Sequence, residues 1–255
     1  MKIYRFALEG AVRYGVLKGD HLFPIRGSVF DEIAVEETPI PIGSVRLLPP
    51  VEPSKIVAVG RNYKDHAAEL GNPLPEEPLL FLKPSTAVIG PLDDIDYPRM
   101  SQRLDFEGEL AVVMKARAFR LADDEPVDPL ILGYTCLNDV TARDLQEKDK
   151  QFTRAKSFDT FAPIGPCIAV GLDPGGLDIK TFLNGKLRQS SNTRHLIFPV
   201  PFLVRFVSNI MTLRPGDIIT TGTPAGVGPM APGDRVDVQI EGIGTLSNRV
   251  LRRHP

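Results

Sequence analysis

Short apolar runs broken by Gly, Pro, Asn or Asp recur along most of this chain, and only one stretch carries an apolar stripe at helical spacing. Ile3–Leu8, Tyr14–Leu17 and His21–Ile25, with Gly19-Asp20 as a hairpin turn, read as a small antiparallel meander, to which Val45–Leu48 adds a further strand. The Pro49-Pro50 and Pro53 cluster places a boundary near residue 50, so 1–50 is expected to form a small N-terminal β module and 51–255 a larger body. In that body Lys55–Gly60, Leu79–Lys83, Ala87–Gly90, Leu110–Met114, Ile131–Leu137 and Ile218–Thr221 read as strands. Two hairpins are expected, Ile179–Leu183 with Lys186–Gln189 about Asn184-Gly185, and Arg235–Ile240 with Thr245–Val250 about Gly242. Pro201–Met211 carries the helical stripe, with Phe202, Val204, Phe206, Val207 and Ile210 on its core side. Arg61–Gly71 reads as a two-turn helix with Asn62 as N-cap, Lys156–Pro166 as a loop and Gly222–Gly228 as a Gly-rich loop. The fold class is therefore α+β and mainly β.

Composition narrows the function. The 255 residues are 42% hydrophobic and 24% charged, an ordinary globular profile, and 22 glycines with 24 prolines favour short strands and turns. A formal net charge of −2 gives no field that favours nucleic acid or an anionic membrane. No run of about 18 apolar residues could span a bilayer and the N-terminus lacks a secretory h-region, so a cytoplasmic protein is expected. Cys136 and Cys167 make no metal-ligand spacing.

The candidate chemistry centres on Leu104–Met114. Two residues apart at the start of a strand, Glu107 and Glu109 project from one face, roughly 6.5–7 Å apart. Such a pair is either solvated at a strand end, or it shares a proton, a basic partner or a divalent cation. His66 and Glu69 stand at i and i+3 of the expected helix, where a carboxylate would orient an imidazole as a general base. Lys83 closes an apolar run as a surface end or an anion-binding group. Asp139, Arg143 and Gln146 share a stripe at i, i+4 and i+7, an ion pair on a capped helix or a substrate-facing acceptor, fork and amide. Glu147–Lys150 is a solvated face or a mobile lid, and Lys156 and Asp159 stand among aromatics and prolines where partial burial would shift both pKa values. No Cys/His cluster suggests zinc and no Gly-x-Ser-x-Gly elbow a serine hydrolase; a carboxylate set such as Glu107, Glu109 and Asp139 suits a hard cation.

Six motifs in order, Gly60-Arg61-Asn62-Tyr63 with His66 and Glu69, Phe81-Leu82-Lys83-Pro84, Asp105–Leu110, Asn138-Asp139 through Gln146, Lys156–Asp159 and Thr221–Gly228, resemble the fumarylacetoacetate hydrolase family over residues 51–250. The first 50 residues resemble the small β module of its short bacterial members. The resemblance implies a mixed β-roll catalytic domain, usually a homodimer, that binds Mg²⁺ or Mn²⁺ through Glu107, Glu109 and Asp139. It implies a 2-oxo acid substrate, contacted by Arg61, Tyr63, Lys83, Arg143, Gln146 and Thr223, with Lys156 beside the developing oxyanion. His66 and Glu69 match the dyad that activates water in carbon–carbon-cleaving members. The expected activity is hydrolysis of an acylpyruvate through an enolate. Isomerisation or tautomerisation of hydroxy-diene diacids, decarboxylation or tautomerisation of oxaloacetate, and a non-enzymatic metal-binding role are the alternatives. One departure stands out: Arg194-His195-Leu196 follows Asn192-Thr193 where a small or acidic residue and then Met are expected, at a wall of the pocket or dimer interface.

Overall fold

A computed structural model describes residues 1–64 and 75–252. Most of the expected strands assemble into a 13-stranded mixed sheet. Its centre is the strand Gly108–Met114, buried along its whole length, with Ile131–Asn138 antiparallel on one side and Ile218–Thr220 antiparallel on the other. Beyond Ile218–Thr220 the strand Ile56–Gly60 joins in parallel, and Leu79–Lys83 pairs antiparallel with that. On the other flank Ala162–Ala169 pairs with Ile131–Asn138 and then with Lys2–Leu8, so the N-terminal meander continues the same sheet.

A five-stranded sheet holds both expected hairpins, Asp178–Leu183 with Lys186–Asn192 and Arg235–Ile240 with Gly244–Leu251. Asn184 and Gly185 both take positive φ, 52° and 75°, which a two-residue turn matched to strand twist requires. One apolar core joins residues of both sheets, including Val112, Cys136 and Val238, and it receives Leu203, Val204 and Val207 of the helix Val200–Ile210. Phe202 and Ile210, expected on the core side of that helix, are exposed, because the buried stripe runs through 200, 203, 204 and 207 instead. A third sheet of three short strands, Thr141–Ala142, Leu104–Phe106 and Gly228–Met230, closes one end.

Two expectations change on the described residues. Ala162–Pro166, read as loop, opens a strand that runs to Ala169; its prolines are tolerated because the register to Ile131–Asn138 slips between Tyr134 and Cys136, where the ladder is already interrupted. Ala87–Gly90 contributes only the two-residue strand Val88–Ile89, after a 3₁₀ turn at Ser85–Ala87. Asn62, expected as a helix N-cap, is fully buried, donating to the carbonyls of Phe198 and Thr221 and accepting the Phe198 N–H, while the N–H groups that it would cap lie outside the described residues. The expected Arg61–Gly71 helix lies mostly outside the described residues.

Gly108 shows how closely the sheets approach. A Cβ there would stand 2.2 Å from the Thr181 hydroxyl of the five-stranded sheet and 3.3 Å from Val238. Gly108→Ala should therefore destabilise by about 1–3 kcal/mol, read by urea unfolding, and pairing it with Thr181→Ala should recover much of the loss. Equal losses in the single and double variants would show that the clash lies elsewhere.

Candidate active site

Register places the carboxylates. Gly108 pairs with Asn138 across the antiparallel ladder, so Glu107 and Asp139 are the next positions and face one another at the ladder's end. Two bonds lock that end: the Asp139 N–H donates to the Glu107 carbonyl at 2.8 Å, and the Glu107 N–H donates to Asn138 Oδ1 at 2.9 Å. Ala111 pairs with Thr220, which extrapolates to Glu109 beside Gly222, and the Gly222 N–H donates to Glu109 Oε2 at 3.0 Å. Glu107 itself stands in the break between Leu104–Phe106 and Gly108–Met114, where the chain passes from the small sheet to the large one. Glu107, Glu109 and Asp139 each present an oxygen within 4.8 Å of the others, and all three are buried. The solvated strand end is thus excluded.

Cations from distant segments surround the cluster. Lys156 Nζ lies 2.7 Å from both Glu107 Oε2 and Asp139 Oδ2. Lys83, expected as a surface end or an anion binder, is fully buried beneath the cavity, with Nζ 2.5 Å from Asp139 Oδ1. Arg143 does not pair with Asp139 as a helix stripe would have it. The short strand Thr141–Ala142 intervenes, Arg143 opens the helix Arg143–Asp149, and its guanidinium bonds Glu107 Oε1, Asp105 Oδ2 at 2.9 Å and Gln146 Oε1 at 2.5 Å. Thr223 Oγ1 donates to the Gly108 carbonyl at 2.9 Å and accepts from Gln189 Nε2 at 2.8 Å.

The electrostatics separate the two glutamates. Burial pushes Glu107 up, but Lys156 and Arg143 outweigh it and hold its pKa at about 2. Burial pushes Glu109 well above the usual carboxylate range, and the charges of Asp139 and Glu107 push it further. Burial pulls Lys83 down, against the pull of Asp139, while for Lys156 the attraction of Asp139 and Glu107 outweighs burial and raises it. Glu109 has no ion pair among the described residues, although it is only 2% exposed. A buried carboxylate without a cationic partner, in an all-oxygen donor set, fits a hard divalent cation.

The cluster opens into a cavity of about 360 Å³, lined also by Arg61, Phe81, Gln146, Phe152, Lys156 and Thr223. Tyr63 does not line it; its ring is fully buried, its hydroxyl has no hydrogen-bond partner among the described residues, and burial followed by the Glu109 charge raises its pKa. His66 and Glu69 lie outside the described residues. Arg194 and Leu196 of the departing segment, with Thr193 before them, line a different cavity of about 800 Å³, where no trio of carboxylates converges among the described residues.

Three polar residues received no role in the sequence reading, although Asp105 and Asn138 stand within its motifs. Asp105 accepts from Arg143 and from Arg103 Nε at 3.0 Å, Asn138 anchors the Glu107 backbone, and Gln189 joins the Gly108 N–H to Thr223. A charged residue inside the apolar run Leu104–Phe106 is the signal that could have marked Asp105.

The family description "Fumarylacetoacetate (FAA) hydrolase C-terminal" matches residues 55–251, and "Rv2993c-like, N-terminal" matches 1–50. The chain belongs to the fumarylacetoacetate hydrolase family. Oxaloacetate tautomerase YisK of Bacillus subtilis is 42% identical over 224 residues, 82% of this chain and 74% of that protein. A crystal structure of 5-carboxymethyl-2-hydroxymuconate delta-isomerase from Mycobacterium smegmatis superposes with a TM-score of 0.93 at 42% identity, covering 99% of this chain and 100% of that one. Within the family the likeness extends to a fumarylacetoacetate hydrolase from Exiguobacterium antarcticum, with a TM-score of 0.89, 38% identity and the same coverage. Family members similar to this chain thus include a tautomerase, an isomerase and a hydrolase.

Proposed function

We propose that this chain is a divalent-cation-dependent enzyme that interconverts keto and enol forms of a 2-oxo acid, with tautomerisation or isomerisation of a diacid as its reaction. The observation that carries the reading is the trio Glu107, Glu109 and Asp139, whose oxygens converge within 4.8 Å at the floor of a cavity. Mg²⁺ or Mn²⁺ held by these three residues would supply Lewis-acid stabilisation of the 2-oxo oxygen, worth several kcal/mol. Arg143, held in place by Asp105 and Glu107, turns part of a donor fork toward the cavity, beside Gln146 and Thr223, where a carboxylate head would be oriented. Lys156 keeps a positive charge beside the oxygen on which negative charge develops, so it needs no reorganisation during the reaction. Phe81 and Phe152, edge to face at 5.3 Å, exclude water from one wall.

Keto–enol interconversion takes a proton from C3 and places one on the C2 oxygen, and it needs no attacking water. The likeness to an oxaloacetate tautomerase and to a muconate isomerase supports that reading. Hydrolytic cleavage of an acylpyruvate is the second reading; it rests on His66 and Glu69, whose positions in the sequence match a water-activating dyad, and on the likeness to a fumarylacetoacetate hydrolase. We also read residues 1–50 as a small β module on a catalytic domain of 51–255, as their separate family descriptions support, and the working form as a cytoplasmic homodimer.

The test is a screen with added Mg²⁺ or Mn²⁺, following ultraviolet absorbance for oxaloacetate and hydroxymuconate-type diacids and pyruvate release for acylpyruvates. Enol–keto conversion that survives His66→Ala, with no pyruvate release, is the expected outcome. Metal-dependent pyruvate release abolished by His66→Ala would establish the hydrolytic reading instead, and no turnover of any 2-oxo acid would sink both.

A further inference from the structure

We infer that Gln189, a residue of the five-stranded sheet, is the positioning residue that holds Glu107 and Glu109 at the spacing a divalent cation needs. The inference rests on the cation-site reading of the carboxylate trio and names what sets its affinity. Gly108 lies between the two glutamates, and the Thr181 hydroxyl opposite leaves no space for a Cβ there. The close approach demands glycine, and glycine has the least restrained backbone of any residue. Any turn of the Gly108 backbone would swing Glu107 and Glu109 apart, so the site needs a restraint from outside its own strand.

A sheet ordinarily supplies that restraint through its ladder. On the side of Ile131–Asn138 the bonded pair is Glu107 with Asp139, which leaves Gly108 facing Asn138 without a backbone bond. On the other side Val112 pairs with Ile219, and the Thr221 N–H donates to the Leu110 carbonyl at 3.0 Å, so Gly108 should next exchange bonds with the Thr223 backbone. The chain leaves the ladder first: the strand ends at Thr220, Gly222 takes φ 87°, and its N–H turns to the Glu109 carboxylate. Side chains stand in for the missing partners. Gln189 Oε1 accepts the Gly108 N–H at 3.0 Å, and Thr223 Oγ1 donates to the Gly108 carbonyl at 2.9 Å. Gln189 Nε2 closes the ring, donating at 2.8 Å both to Thr223 Oγ1 and to the Pro224 carbonyl. The backbone partners fix which way the amide points, because an N–H only donates and a carbonyl only accepts. Gln189 and Thr223 are both buried, so water does not compete for these bonds. The second sheet thus grips both the N–H and, through Thr223, the carbonyl of the one residue that joins two of the three carboxylates.

The test titrates the metal-free full chain with Mn²⁺ by calorimetry and reads the melting temperature of each variant alongside. Gln189→Met keeps the length of the side chain and removes both ends of the clamp; Mn²⁺ should bind about 10–100-fold more weakly, the loss typical when a group that orients a metal ligand is removed. Thr223→Val opens the same ring and should cost about tenfold, whereas Thr223→Ser keeps the hydroxyl and should stay within about twofold of wild type. Because the bonds form one ring, Gln189→Met/Thr223→Val should lose little more than Gln189→Met alone. Val236→Ala, which opens a cavity in the same sheet outside the ring, should lower the melting temperature while leaving Mn²⁺ affinity within about twofold. A Gln189→Met affinity within about twofold of wild type, losses that simply add in the double variant, or an equal loss of affinity in Val236→Ala overturns the clamp and leaves the cation site standing. A wild type that binds no Mn²⁺ overturns the cation site, and the clamp with it.

Discussion

Lys156→Met should lower the melting temperature of the metal-free protein by on the order of 10 °C. The ammonium is the bridge between Glu107 Oε2 and Asp139 Oδ2, both at 2.7 Å, and all three groups are buried. Removing one partner of a buried ion pair costs about 3–5 kcal/mol, because the remaining charge has lost its compensation; in a chain of this size each kcal/mol moves the midpoint by about 2–4 °C. Here two carboxylates are left facing each other, with Lys83 on one side of Asp139 and Arg143 on one side of Glu107. The variant also separates the structural role of Lys156 from its proposed chemical one. Mg²⁺ held by Glu107, Glu109 and Asp139 would supply positive charge to the same cluster, so it should restore more stability to the variant than it adds to the wild type. Turnover should stay at least about 10²-fold lower even when stability has been restored, as the donor beside the developing oxyanion is gone. A melting temperature within 2 °C of wild type without metal would show that the bridge contributes little.

The same bridge shows what could be read along the chain and what could not. Glu107 and Glu109 were legible because they are neighbours in sequence and the period of a strand fixes their side. Asp139 was legible as a residue at the end of an apolar run, but its partner was misread. Helical spacing pointed to Arg143, whereas Asp139 meets Lys83 and Lys156, 56 and 17 residues away. Those contacts depend on the register of Ile56–Gly60 against Ile218–Thr220 and of Gly108–Met114 against Ile131–Asn138, and no local periodicity carries register. The mainly β character, both hairpins and the Asn184-Gly185 turn followed from short-range rules, and those elements stand where expected. The Ala162–Ala169 strand did not follow, because a slip in its partner strand admits prolines that a regular ladder would reject. The partners of Asp105 and Gln189 were hidden for the same reason as those of Lys83: they act on a carbonyl, an amide or a guanidinium far along the chain.

Glu109→Gln should have opposite effects on stability with and without metal. Glu109 is buried beside Asp139 and Glu107 and accepts the Gly222 N–H but pairs with no cation among the described residues, so burial and like charge hold its pKa well above the ordinary range. A carboxylate whose folded pKa exceeds its unfolded value supports folding below the unfolded value, and that support is lost as pH rises through the folded one. Metal-free wild type is therefore expected to lose stability above about pH 4.5. Glu107 works in the other direction: held at about 2, it supports folding above the unfolded value and loses that support as pH falls toward 2, so the two windows do not overlap. Glutamine carries no charge to bury, and metal-free Glu109→Gln should be more stable than wild type near neutral pH by about 1–3 kcal/mol, with a flatter profile above pH 4.5. Saturating Mg²⁺ should reverse the order. At a hundredfold excess over its dissociation constant a cation adds about 2.7 kcal/mol to a protein that binds it, and the variant, lacking one of three carboxylates, should gain little of that. Metal-supplemented turnover of 2-oxo acids should fall about 10³-fold or more. Unfolding curves with Mg²⁺ and with chelator, at pH 5 and pH 7.5, read all of these, and a variant that Mg²⁺ stabilises as much as wild type would remove Glu109 from the cation site.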